Sequence, residues 1–397
     1  MSARDADVLV VGGGPAGSAT AARLAARGHD VLVLEKAAFP REKPCAEYLS
    51  PGVTDALRRL GALDAVLAAG PARLGGMRLV TAGAAWPMTY PDDDGPRRAL
   101  GIPRPVFDAA LLDHARARGA RVRERATVLG ALVEAEQVVG VQARVNGERM
   151  CLRARCVVAA DGLHSAVTRS LGLDVPARWP RRLGLVARYA GVAGSLDRGE
   201  MHVGGGLYCG LAPVGHGLVN VGLVGALRFR PGREGSAAFF ERRLRELPGV
   251  ARRLAGARRE TPVRGAGPLA RRVRRVAGRG YLLVGDAAGF LDPFTGEGVY
   301  RALRGAELAA TAVERALTRD DALPVGYARA RRVAFGDKER VCLLVQAFLG
   351  STALFDYVLA RLARRQRLAD RLAAVLGDYR PAAPALQPGF LGALLWP

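Results

Sequence analysis

The stretch DVLVVGGGPAG, residues 7–17, decides the fold of this 397-residue chain. The run DVLVV is short, β-branched and bounded by glycine, which predicts a buried parallel strand. An alanine-rich helix is predicted at 16–27 and a second strand at 30–36. A strand, a glycine turn, a helix and a strand within about 30 residues form a βαβ unit.

The glycine turn of this unit has the spacing that a dinucleotide requires. Gly12 permits the tight turn, Gly14 lets the backbone approach a pyrophosphate, and Gly17 lets helix and strand pack closely. The helix N-terminus offers free N–H groups and a positive dipole end to the phosphates. Glu35 closes the second strand, where a carboxylate accepts hydrogen bonds from the adenosine ribose. These residues predict a dinucleotide site, and the alternative is a glycine-rich structural turn.

Two later segments combine a buried strand with an adjacent aspartate and glycine. VVAADGLHSAVTRSLGL (157–173) contains Asp161, and VGDAAGFLDPFTGEGVYRAL (284–303) contains Gly285 and Asp286. In this order and spacing, the three segments resemble the FAD-dependent superfamily of aromatic-ring hydroxylases (group A flavin monooxygenases) and geranylgeranyl reductases. The resemblance covers nearly the whole chain. It implies FAD as the cofactor.

The resemblance also implies roles for individual residues. Asp286 would accept hydrogen bonds from the ribityl hydroxyls, and the 293–298 loop would lie beside the isoalloxazine ring. The helix that follows would direct its N-terminal dipole at the N1–C2=O edge, where reduced flavin carries negative charge. Arg104 would reach back to FAD, and the Val128 backbone would contact adenine. With the motif residues, the predicted cofactor contacts are Gly12, Gly14, Ala16, Gly17, Glu35, Lys36, Arg104, Val128, Asp161, Gly285, Asp286, Pro293, Gly296, Gly298 and Val299.

One position departs from the family pattern. The family usually carries an arginine where this chain has Thr168, with Arg169 next to it. The contact assigned to that arginine is therefore not transferred.

The patterns along the chain predict an α/β fold. It comprises a Rossmann-type FAD-binding domain, discontinuous in sequence, with an inserted antiparallel β-sheet substrate domain and a helical C-terminal region. Alternating apolar residues indicate the antiparallel sheet, and leucine spacing predicts single helices at 53–69 and 354–376. The predicted ranges are 1–75, 101–175 and 269–320 for FAD binding, 76–100 and 176–268 for the substrate domain, and 321–397 for the helical region.

The amino-acid composition limits the classes of binding partner that are expected for this chain. The formal charge is +22, but the arginines are scattered along the chain, which argues against nucleic-acid binding. Solvated helix faces explain the charge, with an acidic ligand, an acidic carrier protein or anionic lipid as alternatives. The C-terminal helix and PGFLGALLWP are expected to pack over the substrate region, and contact with a membrane or an acyl carrier is the alternative.

Cysteine usage and hydropathy indicate a cytoplasmic protein. Five cysteines form no CxxC pair, so reduced thiols and no metal site are expected. The N-terminus enters a strand at once, so no signal peptide is expected. No apolar run of about 18 residues is present to span a bilayer.

Within the superfamily, the chemistry divides into hydroxylation, halogenation and prenyl-chain reduction. No second GxGxxG follows a strand, so electrons would come from NADH or NADPH without a separate domain, or from a separate flavin reductase. The halogenase signature Trp-x-Trp-x-Ile-Pro is not matched. FPREKPCAEYLSPG (39–52) and DPFTGEGVYRAL resemble the reductases. Their aromatic-x-Trp-x-Phe-Pro segment reads YCGLAP here, with Gly210 for tryptophan and Ala212 for phenylalanine, which favours a wider, ring-accommodating pocket.

This departure favours a monooxygenase that hydroxylates an aromatic or polyketide-like small molecule through a flavin C4a-hydroperoxide, in secondary metabolism. One alternative is a reductase of carbon–carbon double bonds in an isoprenoid or enone. The other is a non-catalytic flavin-binding scaffold or electron carrier. The flavin itself is the reactive group, so no catalytic side chain is assigned. The substrate-pocket candidates are Cys45, Glu47, Tyr48, Tyr208 and Pro213.

Three of the pocket candidates have ordinary structural alternatives. Cys45 is equally consistent with a small buried hydrophobe, Glu47 with a solvated loop charge and Tyr208 with sheet packing. His164 and His216 are predicted to be surface or turn histidines.

Overall fold

The computed structural model of the chain describes residues 4–229, 231–232, 235–319 and 326–396. The helices are α1 Pro15–Ala25, α2 Pro51–Leu60, α3 Leu63–Ala68, α4 Arg104–Ala117, α5 Ala166–Ser170, α6 Gly235–Arg245, α7 Pro248–Leu254, α8 Gly298–Thr318, α9 Tyr327–Leu349, α10 Thr352–Arg364, α11 Gln366–Leu376 and α12 Pro388–Leu395. The strands are β1 Ala6–Val11, β2 Val31–Leu34, β3 Tyr48–Leu49, β4 Ala72–Leu74, β5 Gly76–Val80, β6 Ala85–Thr89, β7 Ala99–Gly101, β8 Arg121–Arg123, β9 Ala126–Glu134, β10 Gln137–Val145, β11 Glu148–Ala159, β12 Asp174–Pro176, β13 Arg182–Ala190, β14 Gly199–Gly204, β15 Leu207–Gly215, β16 Leu218–Ala226, β17 Arg258–Arg259, β18 Arg264–Ala266, β19 Arg271–Val273, β20 Ala277–Gly278 and β21 Tyr281–Leu283.

The first sheet is built around β1. Its order is β20-β21-β11-β1-β2-β8, and β1 runs parallel to both β2 and β11. Val8 and Val10 pack against α1 and α8, whereas Leu9 and Val11 pack against the meander of β9, β10 and β11. Both faces of β1 are therefore covered, which explains its unbroken apolar run. The predicted Rossmann-type α/β fold is confirmed.

The second sheet is the inserted one. Its order is β17-β13-β16-β15-β14-β5-β6, with β18 beside β13, and its pairings are antiparallel except for β14 with β5. One face packs against Phe239 and Phe240 of α6, and the other faces α10 and α11. The sequence did not predict α6 and α7. Their apolar faces cover one side of a sheet whose strands are buried on both sides.

Two predicted helices are each broken in the structure. The helix expected at 53–69 ends at Gly61, whose φ of 77° is left-handed, so that α2 and α3 are separate. The helix expected at 354–376 breaks at Arg365, where φ −121° and ψ 77° leave the helical region. Leucine spacing holds within each half, but each half packs separately, so the prediction of single helices was wrong.

The C-terminal region is helical from α9 to α12. Among the described residues, no single helix combines the length and apolarity needed to cross a bilayer. The pair α9 and α10 reaches both only when taken together, with a 118° bend between them. The predicted domain ranges remain predictions. Residue 1, the predicted boundary at 320–321 and residue 397 lie outside the described residues.

Candidate active site

The glycine turn has the close contacts that the motif predicts. Gly12 has φ +98°, and a Cβ there would lie 2.6 Å from the Ala160 carbonyl oxygen. A Cβ on Gly17 would lie 1.8 Å from the Gly12 carbonyl oxygen. Gly14 is the N-cap of α1, with Pro15 as the first helical residue. The turn therefore presents the free N-terminus of α1 to a ligand.

Glu35 lies directly over this turn. Its Oε2 accepts a hydrogen bond from the Gly13 N–H at 2.8 Å, and its Oε1 accepts one from Ala37 N at 3.0 Å. The carboxylate is buried, whereas the neighbouring Lys36 is exposed. The acid is thus at the end of β2 where a ribose contact is expected.

Two cations of the 39–47 loop lie over the nucleotide-binding motifs, and the sequence analysis did not select them. Arg41 Nη1 donates to Asp108 Oδ2 at 3.1 Å, and a Cβ on Gly14 would lie 3.4 Å from Arg41 Nη2. Lys43 Nζ lies 3.7 Å from Asp286 Oδ2. Positive charge at a helix N-terminus suits a pyrophosphate. The signal available in the sequence was the charged run PREK after the second strand.

The second and third motifs lie together. One cleft is lined by residues of both, including Gly162, Thr168 and Asp286. Thr168, which stands at the departure from the family pattern, donates its hydroxyl to the Ala287 carbonyl at 3.3 Å. Gly285 has φ +62°, and a Cβ there would lie 2.9 Å from the Ala16 Cβ. The predicted residues Ala16, Gly285 and Asp286 are therefore neighbours.

Asp161 provides the test of whether the site fits FAD. Its Oδ2 accepts a hydrogen bond from Ala166 N at 2.7 Å, while its Oδ1 is buried without a partner among the described residues. Burial raises the pKa of Asp161. A buried acceptor with no donor, beside a glycine turn and two cations, matches a ligand with several hydroxyl groups. The donor set fits FAD.

Arg104 and Val128 are fixed by neighbouring protein groups. Arg104 is the first residue of α4, and its Nε and Nη2 each lie 2.7 Å from a carboxylate oxygen of Asp108. Val128 is buried on β9, opposite Ala143. The FAD contacts of Arg104 and Val128 remain predictions.

Residues 292–297, here called the flavin loop, lie within the third motif and lead into α8. The Gly296 N–H bonds to the Pro293 carbonyl at 3.0 Å, which closes a tight turn. Glu297 is the N-cap of α8, and Gly298 and Val299 form its first turn. The predicted residues Pro293, Gly296, Gly298 and Val299 are thus contiguous at a helix N-terminus.

The start of the flavin loop carries the Tyr208–Asp292 pair. The Tyr208 hydroxyl donates to Asp292 Oδ1 at 2.6 Å, and Phe294 N donates to the same oxygen at 3.0 Å. Asp292 Oδ2 lies 3.5 Å from Arg182 Nε but has no hydrogen-bond partner in the described part of the chain. Burial raises the pKa of Asp292, and burial together with Asp292 raises the pKa of Tyr208. Both groups therefore release their protons at a higher pH than they would in water.

The end of the flavin loop carries the Lys338 cluster, formed by Glu297, Lys338, Cys342, Asp378 and Ser50. Lys338 Nζ lies 2.7 Å from Asp378 Oδ1 and 3.8 Å from Glu297 Oε2. The Cys342 thiol donates to Glu297 Oε2 at 3.3 Å, and the Ser50 hydroxyl donates to Asp378 Oδ2 at 2.6 Å. Burial alone lowers the pKa of Lys338, but the two carboxylates outweigh it and the pKa is raised. This buried lysine is charged.

The remaining pocket candidates lie near the flavin loop or on the second sheet. The Tyr48 hydroxyl lies 2.6 Å from the Tyr90 hydroxyl, and the Tyr48 ring lies beside Gly296. Cys45 is half-buried, and its carbonyl accepts a hydrogen bond from Asn220 at 2.9 Å. Pro213 is buried on β15.

Glu47 is not the solvated loop charge that the sequence offered as an alternative. Its side chain is 2% exposed, and its Oε2 accepts a hydrogen bond from Arg188 Nε at 2.8 Å. Its Oε1 accepts one from the backbone N–H of Arg104 at 2.8 Å. The solvated alternative was wrong because a cation on β13 holds the carboxylate in the interior. His164 and His216 are exposed residues in turns, as predicted.

The profile of the FAD-binding domain family, described as an FAD binding domain, matches residues 5–335. The chain belongs to this family. It is an FAD-dependent oxidoreductase, as the resemblance of its three motifs implied.

Relatives of this flavoprotein have different names. The digeranylgeranylglycerophospholipid reductase of Methanosarcina acetivorans is 31% identical over 323 residues, covering 79% of this chain and 76% of the relative. The menaquinone reductase of Mycobacterium tuberculosis is 33% identical over 360 residues, covering 84% and 85%. Among solved structures, a myxobacterial chondrochloren halogenase superposes with a TM-score of 0.76 at 28% identity, covering 84% of this chain and 79% of the halogenase.

The flavoprotein's buried polar groups near the flavin loop were mostly missed by the sequence analysis. Asp292 and Glu297 lie within the quoted third motif, and Lys338 is one of only three lysines in the chain. Lys338 stands in the charged run DKER, residues 337–340, so its neighbours in sequence gave no local signal that it is buried. Its buried partners are distant in sequence.

Proposed function

We propose that this flavoprotein uses reduced FAD to saturate carbon–carbon double bonds of an apolar, isoprenoid-like substrate. The observation that carries the proposal is the surroundings of the flavin loop. A continuous buried cluster adjoins the loop, here called the aromatic cluster, and its aromatic members are Tyr48, Trp86, Tyr90, Tyr208, Phe348 and Phe355. Apolar walls suit a prenyl chain, which offers no hydrogen-bonding groups.

The names of the relatives support this proposal. Two curated relatives at 31% and 33% identity are named reductases of a digeranylgeranylglycerophospholipid and of menaquinone. Both alignments cover about three quarters or more of each chain. The match to the family profile includes the flavin loop. The proposed substrate class for this chain follows from that similarity together with the apolar cluster.

Saturating a double bond requires one hydride and one proton. Reduced FAD, when bound, supplies the hydride. Tyr208 would turn its hydroxyl from Asp292 Oδ1 towards the substrate and supply the proton, and protonated Asp292 would then return a proton to the Tyr208 oxygen across the 2.6 Å contact. Asp292 recovers its proton through Oδ2, which has no hydrogen-bond partner in the described residues. Electrons reach FAD from NADH or NADPH, or from a separate flavin reductase.

The substrate wall differs from that of the reductases at Gly210. A Cβ there would lie 3.5 Å from the Met201 Cε, so methionine packs where the family carries tryptophan. Methionine is flexible and fills irregular space. This exchange favours a substrate bulkier than a bare prenyl chain, such as a prenyl group attached to a ring.

Hydroxylation of a ring compound is the second candidate, and Gly210 and Ala212 are the observations that favour it. Both candidates use the same FAD residues. They differ in whether dioxygen takes part.

Product analysis distinguishes the two. FAD-loaded protein is reduced with dithionite without oxygen and mixed with a geranylgeranyl lipid, which has no quinone ring that reduced flavin could reduce instead of a double bond. The proposal expects anaerobic reoxidation of the flavin and a product heavier by two hydrogens per saturated bond. A product that forms only in air and carries labelled oxygen from dioxygen establishes hydroxylation instead. Tight FAD binding without any product indicates a scaffold or electron carrier.

A further inference from the structure

The outer side of α10 and the end of α12 form a surface with an unusual composition. Tyr357 is 39% exposed, Leu395 is 40% exposed and Trp396 is 77% exposed. Together with Arg361, Arg364 and Arg367, which are partly or fully exposed, these residues are called the C-terminal patch. Large aromatic side chains are seldom left this exposed on a surface that contacts only water.

Hydrogen bonds hold the C-terminal patch in one arrangement. The Tyr357 hydroxyl donates to the Leu395 carbonyl at 3.0 Å. Arg361 donates to the Ala393 carbonyl at 3.2 Å and also to the Trp396 carbonyl. The arginine therefore caps the C-terminal end of α12. The exposed tryptophan is fixed to α10.

The charge around the patch is strongly positive. Between Thr352 and Leu376 the chain carries five arginines, at 361, 364, 365, 367 and 371, against the acids Asp356 and Asp370. Within the described ranges, no acidic side chain forms an ion pair with Arg364, Arg367 or Arg371. Anionic groups complement such a face.

Tryptophan, tyrosine and arginine share a preference for one environment. Trp and Tyr rings collect at the boundary between lipid headgroups and acyl chains, where the ring is apolar and its polar tip stays hydrated. Arginine extends its apolar stem over such a surface and places its guanidinium on phosphate. An acidic protein partner would also complement the arginines, and its binding is one of the outcomes of the test below.

The inner side of the same helices reaches the aromatic cluster. Phe355, Val358 and Leu359 of α10 and Leu394 of α12 are buried in the cluster that contains Tyr208. A single layer of helices therefore separates the C-terminal patch from the residues beside the flavin loop. A lipid in a bilayer under the patch has only this layer to cross.

We infer that the C-terminal patch docks this flavoprotein on a bilayer surface rich in anionic phospholipid. Trp396, Leu395 and Tyr357 enter the headgroup boundary, and the arginines contact the lipid phosphates. The inference rests on the surface and is independent of the reaction proposed above. A hydroxylase with a lipid-soluble substrate would use the same surface.

Vesicle sedimentation tests the inference with full-length, FAD-loaded protein. Vesicles of phosphatidylcholine alone are compared with vesicles containing equal parts of phosphatidylglycerol. The expected result is binding to the anionic vesicles that weakens as salt is raised. Trp396→Ala should weaken binding by roughly tenfold, and Arg364→Gln with Arg367→Gln by about fivefold for each arginine removed.

Two control variants remove a tryptophan, or two arginines, from parts of the surface outside the C-terminal patch. Trp179 is 52% exposed elsewhere, so Trp179→Ala should leave binding unchanged. Arg144 and Arg149 are exposed cross-strand partners on β10 and β11, so their double glutamine variant should also bind normally. FAD content and circular dichroism confirm that each variant is folded.

Three results overturn the inference. The first is equal binding to both vesicle types, and the second is equal loss in the patch variants and their controls. The third is that the protein sediments with neither type of vesicle. That result would also be obtained if the patch bound an acidic protein instead of a bilayer.

Discussion

A cluster of buried polar residues lies at each end of the flavin loop. The two clusters differ in how completely their polar atoms are hydrogen-bonded. At the Glu297 end, no buried polar atom of the Lys338 cluster is without a partner among the described residues. At the Asp292 end, Asp292 Oδ2 and the nearby Gln346 Oε1 are both buried and unpartnered in the same part of the chain. A fully hydrogen-bonded cluster stabilises a fold, whereas a buried acid that keeps one oxygen without a hydrogen-bond donor is a candidate for a site of chemistry.

Removing the cation of the paired cluster should have the largest effect. Lys338→Met leaves Asp378 and Glu297 buried without their positive partner, so the free energy of unfolding should fall by roughly 3–5 kcal/mol. Burial raises the pKa of Asp378, and without Lys338 this acid holds its proton still more tightly when folded than when unfolded. Stability lost at neutral pH should therefore return as pH falls. Denaturant titration across pH measures both effects.

Arg331 provides a matched control on the same helix. It is buried on α9, and its guanidinium stacks on Tyr327 and Phe335 rather than on a carboxylate. Arg331→Met should be less destabilising than Lys338→Met and should show no recovery in acid. Equal losses in the two variants would mean that packing, not charge pairing, sets the role of Lys338.

Replacing Asp292, the acid at the incompletely hydrogen-bonded end of the flavin loop, should affect activity much more than stability. Asp292→Asn abolishes proton transfer to Tyr208, so turnover should fall by roughly 100-fold. The free energy of unfolding should fall by less than in Lys338→Met, because the asparagine oxygen still accepts the Tyr208 and Phe294 hydrogen bonds and only the 3.5 Å pair with Arg182 is lost. Single-turnover rates and denaturant titrations on the same preparation provide both values.

The dependence of turnover on pH provides a further test of the role of Asp292. Because burial raises the pKa of Asp292, the acid is protonated at low pH and loses its proton as pH rises. Wild-type turnover should therefore decline as pH rises through that pKa, and Asp292→Asn should lack this decline. A decline that persists in the variant would assign it to another group.

The smallest effect is expected at the edge of the paired cluster. Ser50→Ala removes the 2.6 Å hydrogen bond to Asp378 Oδ2 and leaves the lysine in place. The free energy of unfolding should fall by about 1–2 kcal/mol, with FAD affinity unchanged. A loss of FAD affinity instead would show that the cluster acts on the cofactor site and not only on stability.

The sequence predicts the nucleotide-binding half of this molecule far better than the loop's surroundings. The turn from Gly12 to Gly17 and the acid Glu35 are close in sequence, so spacing and strand pattern reveal them. Tyr208 and Asp292 are 84 residues apart, and Lys338 and Asp378 are 40 apart. No local periodicity encodes such pairs. They arise when the second sheet and the C-terminal helices pack on the flavin loop.

The predicted helix boundaries were wrong for a related reason. Apolar spacing at 53–69 and 354–376 reports which face of each helix is buried, but not where the chain changes direction. Gly61 was readable as a helix end, because a left-handed glycine is a common terminator. Arg365 was not, since arginine favours helix and only tertiary packing bends the chain there.

The central claim is that the Tyr208–Asp292 pair donates the proton in the reduction. It is tested most directly by Tyr208→Phe against Tyr90→Phe, since both hydroxyls are buried in the aromatic cluster and make one 2.6 Å contact. The measurement is the rate at which a prenyl substrate reoxidises the reduced flavin without oxygen. We predict a roughly 100-fold slower rate for Tyr208→Phe and little change for Tyr90→Phe. Equal rates in the two variants would contradict the claim.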